Sequence, residues 1–442
     1  MNMDIRTEED NMYDWDDQSV PDDLPSEPED GSDRYPHQTD ADPAYTAPED
    51  IDRIRRKAML EGFVLAILAA ACAFAGWRLA AGRPYASVLS GKGRKEKLEL
   101  LEQMVDKYYL WDKDQDEMAE GLYLGLMYGL GDPYTTYYTA EEYLQENAYN
   151  AGTYQGIGIV MTKEKNGAVN VEMVYSDSPA EKAGLLSGDR ILRIDGKDVA
   201  ELSSEEVVSL IRSSGGDTPV ELTVYRSAED ETLQLLMYTE EVEVPSVDFS
   251  MLEDDTGYIR ITEFTGVTPV QYEDAFRELQ QDGMRALVVD LRDNPGGLVS
   301  SVCEVLRMIL PEGLIMYTED KYGTRSEMTC DGKQELKLPL AVLVNGQSAS
   351  AAEVFAGAVR DHRKGVLVGT RTYGKGIVQD IHVLSDGSAV KMTQAQYYTP
   401  DGSCIHGTGI APDLVVIQDD SKDDVQLTAA INAVRSEKTE EQ

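Results

Sequence analysis

The sequence predicts an α/β core carrying an inserted, mainly β domain, preceded by a helical region and one transmembrane helix. Three observations carry that prediction. From 244 to 418, strand-like runs such as "TGYIRITEF", "ALVVDLR", "LPLAVLVN" and "GVLVGTRT" alternate with helical patterns at "PVQYEDAFRELQQDG", "LVSSVCEVLRMIL" and "SAAEVFAGAVRDH", the order of an α/β domain. From 152 to 239 the pattern changes to short strands and turns, "GIGIVM", "NVEMVY", "DRILRIDGKDV", "VELTVYR" and "LQLLMY", with one helix at "SSEEVVSLIRS". Residues 62–81 are almost entirely apolar and long enough to span a bilayer.

The remaining segments follow in order. At 442 residues the chain is too long for one ordinary core. Its net charge of -41 would repel a phosphate polymer, and no basic stripe intervenes in the portion expected to fold, which argues against nucleic acid as a partner. Residues 1–57 hold much of that charge, with 18 Asp or Glu against two Arg before residue 53. Few aliphatic residues stand there to offset the entropy of ordering, so they read as a disordered acidic tail. In 62–81 the one charge, Arg78, sits near an end beside Trp77, where both suit the headgroup level. Arg53, Arg55, Arg56 and Lys57 precede the span, which places the tail in the cytoplasm and everything after residue 82 outside a cell membrane crossed once. Residues 93–150 read as helices, with "TAEE" as a helix start. Their apolar faces call for a partner, either the rest of the chain or a second copy in a homodimer. A helix over 422–436 closes the chain. Cys72, Cys303, Cys330 and Cys404 make no disulfide framework, and neither a metal nor a cofactor is expected from the scattered histidines.

The stretch "NGQSASAAEVFAGAVRD" places two serines where an apolar strand meets a helix. A serine there sits on unpaired N–H groups at the positive end of a helix, where an oxyanion would be stabilised. Locally, Ser350 with Glu353 also fits a capping box, and on those residues alone capping is the stronger reading. A nucleophile needs a base. His362 lies too far along the same helix, while His382 and His406 lie on a strand and a terminal loop, from which either could approach. Lys375, between two glycines in "TYGKGIVQ", is the better candidate, since a desolvated amine is neutral nearer physiological pH. In an extended segment Lys375, Ile377 and Gln379 share a face, so that Gln379 would orient the amine.

The motifs "VVDLRDNPGGLV", "VNGQSASAAEVFAGAVRD", "VGTRTYGKGIVQ" and "YYTPDGSCIHGTGIAPDL", in that order, resemble the C-terminal processing peptidases. These are tail-specific serine proteases with a Ser/Lys dyad, a crotonase/ClpP-like core and an embedded PDZ domain. The similarity covers roughly residues 95–435, and "YQGIGIV" with "SPAEKAGLLSGDRILRIDG" resembles PDZ domains. The resemblance implies Ser350 as nucleophile, Lys375 as general base and Gln379 as the residue that positions it. It further implies an oxyanion hole from the backbone of Ala351 and of Gly296 or Gly297, with Ser348 left as a turn residue. In the PDZ domain, Gly156, Ile157, Gly158 and Ile159 would hold a peptide's terminal carboxylate. Thr370 and Ala352 depart from the family pattern without removing a dyad member.

The expected function is therefore a membrane-anchored serine endopeptidase acting on proteins or peptides with free C-termini. Its rivals are a catalytically silent PDZ scaffold and a crotonase-like acyl-transfer enzyme.

Overall fold

Every residue of "ALVVD" (286–290) and "LAVLV" (340–344) is buried, as strands covered on both faces must be. The computed structural model describes residues 87–213, 218–418 and 423–440. The tail and span expected at 1–57 and 62–81 lie outside them, and no helix among the described residues is long and apolar enough to cross a membrane. The chain divides into two units, one ending at Trp111 and one beginning at Asp112. In the first, helix α1 (Arg94–Tyr108) has no buried residue, and Leu100, Leu101 and Met104 are exposed.

The second unit opens with α2 (Gln115–Tyr128), strand β1 (Thr136–Tyr138) and α3 (Ala140–Ala151). Thr139 and Glu142 close the capping box expected for α3, at 3.2 and 2.9 Å. The inserted domain runs β2 (Thr153–Gly156), β3 (Ile159–Lys163), β4 (Val169–Val174), α4 (Pro179–Lys182), β5 (Arg190–Ile194), β6 (Lys197–Asp198), α5 (Ser204–Ser213), β7 (Val220–Arg226), β8 (Glu231–Met237) and β9 (Glu240–Glu243). Its six-stranded sheet has the order β3-β4-β5-β7-β8, with β6 on β5. Ile157, Leu185, Ile191, Ile194, Val207 and Leu222 fill its own core. The entering and leaving strands are zipped together, Thr153 opposite Glu243 and Gly156 opposite Glu240, so the insert hangs on a two-stranded ribbon rather than a loose linker.

The core follows as β10 (Val247–Leu252), β11 (Thr256–Ile261), α6 (Thr268–Gln281), β12 (Ala286–Asp290), α7 (Val299–Arg307), β13 (Gly313–Asp320), β14 (Arg325–Cys330), β15 (Leu340–Val344), α8 (Ala351–Asp361), β16 (Val366–Gly369), β17 (Ile377–Val383), β18 (Ala389–Tyr398), β19 (Leu414–Val415) and α9 (Val425–Glu440). One sheet has the order β10-β11-β12-β15-β16-β19, parallel from β11 onward. Strand alternation assigns its two faces. Leu287, Val289, Val342 and Val344 join a core with residues of α6, α7 and α8, while Ala286, Val288, Ala341 and Leu343 pack with Ala430 and Val434 of α9. β17 and β18 do not extend this sheet. They form a second one with β13, β14 and β1, all pairs antiparallel. β1 was not foreseen: three residues from the helical region pair with β18, Thr136 opposite Lys391.

Candidate active site

Three loops leave the C-terminal ends of adjacent parallel strands, where open α/β sheets carry their sites. After β12 comes Asn294–Gly297, after β15 comes Asn345–Ser350, and after β16 comes Thr370–Gly376. Side chains distant in sequence meet because these strands are neighbours.

The two serines of the middle loop separate clearly. Ser348 is fully buried, donating to the Leu291 carbonyl at 2.7 Å and accepting from the Asn345 N–H at 2.9 Å, so its hydroxyl is committed to the turn. Ser350 precedes α8 with φ 55° and ψ -114°, a region that favours glycine. Such a conformation costs about 1–3 kcal/mol and persists only where the surroundings over-determine it. Here the Ser350 N–H donates to Glu353 Oε2 at 3.0 Å, and its carbonyl accepts from Tyr397 Oη at 3.0 Å and from the N–H groups of Glu353 and Val354. Glu353 thus supplies its half of the capping box.

The loop after β12 lies against this turn. Gly296 and Gly297 have φ of 113° and 120°, and a Cβ on Gly296 would fall 2.7 Å from Ser350 Cβ and 3.0 Å from the Ala351 nitrogen. Only glycine lets the two backbones approach so closely. The hydrogen bonds also divide the two glycines. The Gly296 N–H is committed to Asn294 Oδ1 at 2.8 Å, whereas the N–H groups of Gly297 and Ala351 have no acceptor among the described residues. Of the three backbone donors expected for an oxyanion hole, Ala351 and Gly297 therefore have their N–H groups uncommitted.

Lys375 is half-buried between Gly374 and Gly376, where a Cβ on either would fall against the backbone of 406–409. Burial lowers the pKa of its ammonium, the charge of Lys391 lowers it further, and Asp132 opposes both. No hydrogen bond joins its Nζ to Ser350 Oγ in this arrangement. Nζ lies instead over the Tyr134 ring, 4.6 Å from the centroid. Gln379 likewise does not reach the amine, because Nε2 points to Thr393 Oγ1 at 3.4 Å. Strand geometry begins only at Ile377, and the pairing register shifts between Val378 and Gln379, so the shared face expected for Lys375 and Gln379 is interrupted by a bulge. His362 sits at the far end of α8 with its ring on the Leu314 carbonyl, roughly 18 Å from Ser350 by helical rise.

Residues 255–416 match the family model of peptidase family S41, and 155–237 match the PDZ domain. A carboxy-terminal-processing protease of Bartonella bacilliformis is 37% identical over 317 residues, 70% of this chain and 72% of that protein. The chain belongs to peptidase family S41. The carboxy-terminal processing protease CtpA of Bacillus subtilis is 33% identical over 327 residues, 74% of this chain and 70% of its own length. Among solved structures, the photosystem II D1 C-terminal processing protease is 29% identical, with a TM-score of 0.43 over 74% of this chain and 88% of that one. An S41 peptidase is a serine-type hydrolase, so an acyl-transfer enzyme of another class is set aside.

Within the S41 core the sequence reading undervalued Glu353. Its fully buried carboxylate accepts four hydrogen bonds, from Thr372 Oγ1 at 2.6 Å, Gly374 N–H at 2.7 Å, Lys375 N–H at 2.8 Å and Ser350 N–H at 3.0 Å. One side chain therefore fixes the turn at Ser350 relative to the loop of Lys375. The signal was present in "SAAE", but a capping box accounts for only one of those bonds.

In the PDZ domain the four residues expected to hold a carboxylate join β2 to β3. Ile157 is buried, and its carbonyl accepts from Ala180 N–H at 2.9 Å; Gly158 has φ 83°. Beside them Ile159, Met161, Val208 and Ile211 line an apolar cleft of about 250 Å³, with Arg212 at its rim. Tyr154 lies across the loop, Cε2 2.4 Å from where a Cβ on Gly156 would be. Burial raises the pKa of its phenol, and the N–H groups of Ile159 and Gly158 facing the oxygen partly offset this.

Proposed function

We propose that this S41 peptidase is a membrane-anchored endopeptidase that takes protein C-termini in its PDZ domain and cleaves peptide bonds with Ser350 as nucleophile and Lys375 as general base. The observation that carries it is the glycine-like conformation of Ser350 at the start of α8, beside two N–H groups without acceptors among the described residues. With its amine neutral, Lys375 takes the Ser350 proton as Oγ bonds to the scissile carbonyl carbon. The carbonyl oxygen becomes an oxyanion received by the N–H groups of Ala351 and Gly297. Collapse expels the amine, which takes the proton from Lys375. Water then hydrolyses the acyl-enzyme by the same sequence. The lowered pKa of Lys375 favours the neutral form at a pH where an ordinary lysine is charged.

Substrate delivery supplies a test. Backbone donors in the PDZ loop hold a carboxylate through charge-assisted bonds, with the apolar cleft beside them for the terminal side chain. A peptide ending in an apolar residue with a free carboxylate should therefore be cleaved with a KM about 10-fold or more below that of its C-terminal carboxamide, at similar kcat. Equal KM values would remove the PDZ loop from substrate capture.

The anchor has its own test. The length and apolarity of 62–81 and the basic residues before it support a single span with the acidic tail in the cytoplasm. Protease added outside intact spheroplasts should digest the body after residue 82 and spare an epitope on the tail. Digestion of the tail with protection of the body would reverse the topology.

A further inference from the structure

The Lys375 Nζ makes no hydrogen bond to Ser350 Oγ and lies over a ring from the turn before β1. The turn before β1 is tightly built: Asp132 accepts from the Tyr134 N–H at 3.0 Å and from Thr135 Oγ1 at 2.6 Å, and Thr135 Oγ1 in turn accepts from the Thr393 N–H of β18 at 3.1 Å. With β1 paired to β18 immediately afterwards, the Tyr134 ring has a fixed place against the Lys375 side chain.

We propose that Tyr134 is a positioning residue that holds the charged Lys375 side chain on its ring face, away from Ser350, and releases it when the amine loses its proton. The proposal rests on the reading of Lys375 as general base. An ammonium is attracted to the negative face of an aromatic ring, and a neutral amine is not. Proton loss to solvent therefore removes the attraction and leaves a free amine whose lone pair can accept from Ser350 Oγ. Base formation and base placement become one event.

The other charged and titratable groups around Lys375 do not distinguish placement in this way. Lys391 on β18 repels the ammonium but is itself paired with Glu146 at 2.9 Å, while Asp132 attracts it from the turn. Glu353 on α8 takes the Lys375 backbone N–H. Tyr373, on the loop of Lys375, interacts with the Tyr134 phenol, whose pKa is raised by burial first and by that interaction next. The phenol therefore stays protonated and the ring face keeps its polarity.

The test is the acidic limb of kcat/KM against pH for the full chain and four variants. Tyr134→Phe keeps the ring face, and the limb should stay where it is. Tyr134→Leu keeps an apolar wall without a quadrupole. The charged form then loses a stabilising contact, so the limb should move to lower pH by roughly one unit. Replacement of Tyr134 by pentafluorophenylalanine, which keeps the ring's shape and reverses its polarity, should move the limb the same way and guards against a packing defect in the leucine variant. A limb that stays put in both of the latter, or moves upward as from plain rehydration of Lys375, overturns the proposal. Lys375→Ala separates the levels: if it retains turnover, the general-base reading itself fails, whereas a dead Lys375→Ala with an unmoved limb in the Tyr134 variants sinks only the role of Tyr134.

Discussion

Ser350→Ala and Lys375→Ala should each reduce kcat/KM for peptide hydrolysis by on the order of 10⁴-fold or more, and the double variant should be little worse than either alone. Each change removes half of one proton-transfer unit, and half a unit has no partial function. Ser350→Ala takes away Oγ, while Lys375→Ala leaves Oγ with no acceptor for its proton. A fluorophosphonate should label the wild-type chain at Ser350 and leave Ser350→Ala unlabelled. Ser348 provides the control two residues away. Ser348→Ala leaves the partly buried Asn345 N–H without its acceptor and removes a donor from the Leu291 carbonyl. It should cost about 1–3 kcal/mol of stability in denaturant unfolding, with most turnover retained. Loss of turnover in Ser348→Ala, with Ser350→Ala active, would exchange the two assignments.

The residues of this site were named through the family resemblance, since Ser350 on its local sequence reads more readily as a helix cap. The lysine between glycines reads directly as a place of close backbone approach, and the structure shows Gly376 against the backbone of His406, with Gly296 likewise against Ser350. The strand–helix alternation marked the α/β core, while the parallel order and the burial of "ALVVD" and "LAVLV" on both faces came with the structure. What stayed hidden depends on long-range registration. "GDPYTTYY" reads locally as a turn before a helix, and nothing in it shows that Thr136–Tyr138 will pair with β18 and bring Tyr134 to Lys375. Gln379 was placed by strict alternation, which a bulge between Val378 and Gln379 interrupts without any glycine or proline to mark it. The division of labour between Gly296 and Gly297 was equally invisible, because it rests on which N–H the Asn294 side chain captures.

Glu353 carries the second large effect. Its four donors demand two accepting oxygens, and an amide can offer only one. In Glu353→Gln the NH₂ group must face one pair of donors. Facing Thr372 and Gly374 is less damaging, since the Thr372 hydroxyl can turn to accept while the Gly374 N–H loses its partner. The bond to Ser350 then survives in a weakened frame, and kcat should fall by about 10- to 100-fold, equivalent to roughly 1–3 kcal/mol of lost support for a strained turn. Glu353→Ala removes all four bonds and leaves the N–H groups of Ser350, Gly374 and Lys375 without that acceptor. With nothing holding its N–H, Ser350 should relax toward an ordinary helix-start conformation. Both fluorophosphonate labelling and peptide hydrolysis should then fall by on the order of 10³-fold, with unfolding stability lower by about 2–4 kcal/mol. The labelling rate is the decisive readout, because it needs a competent Ser350 but no bound peptide. A folded Glu353→Ala chain that labels at the wild-type rate would show that the turn at Ser350 holds its shape without the carboxylate.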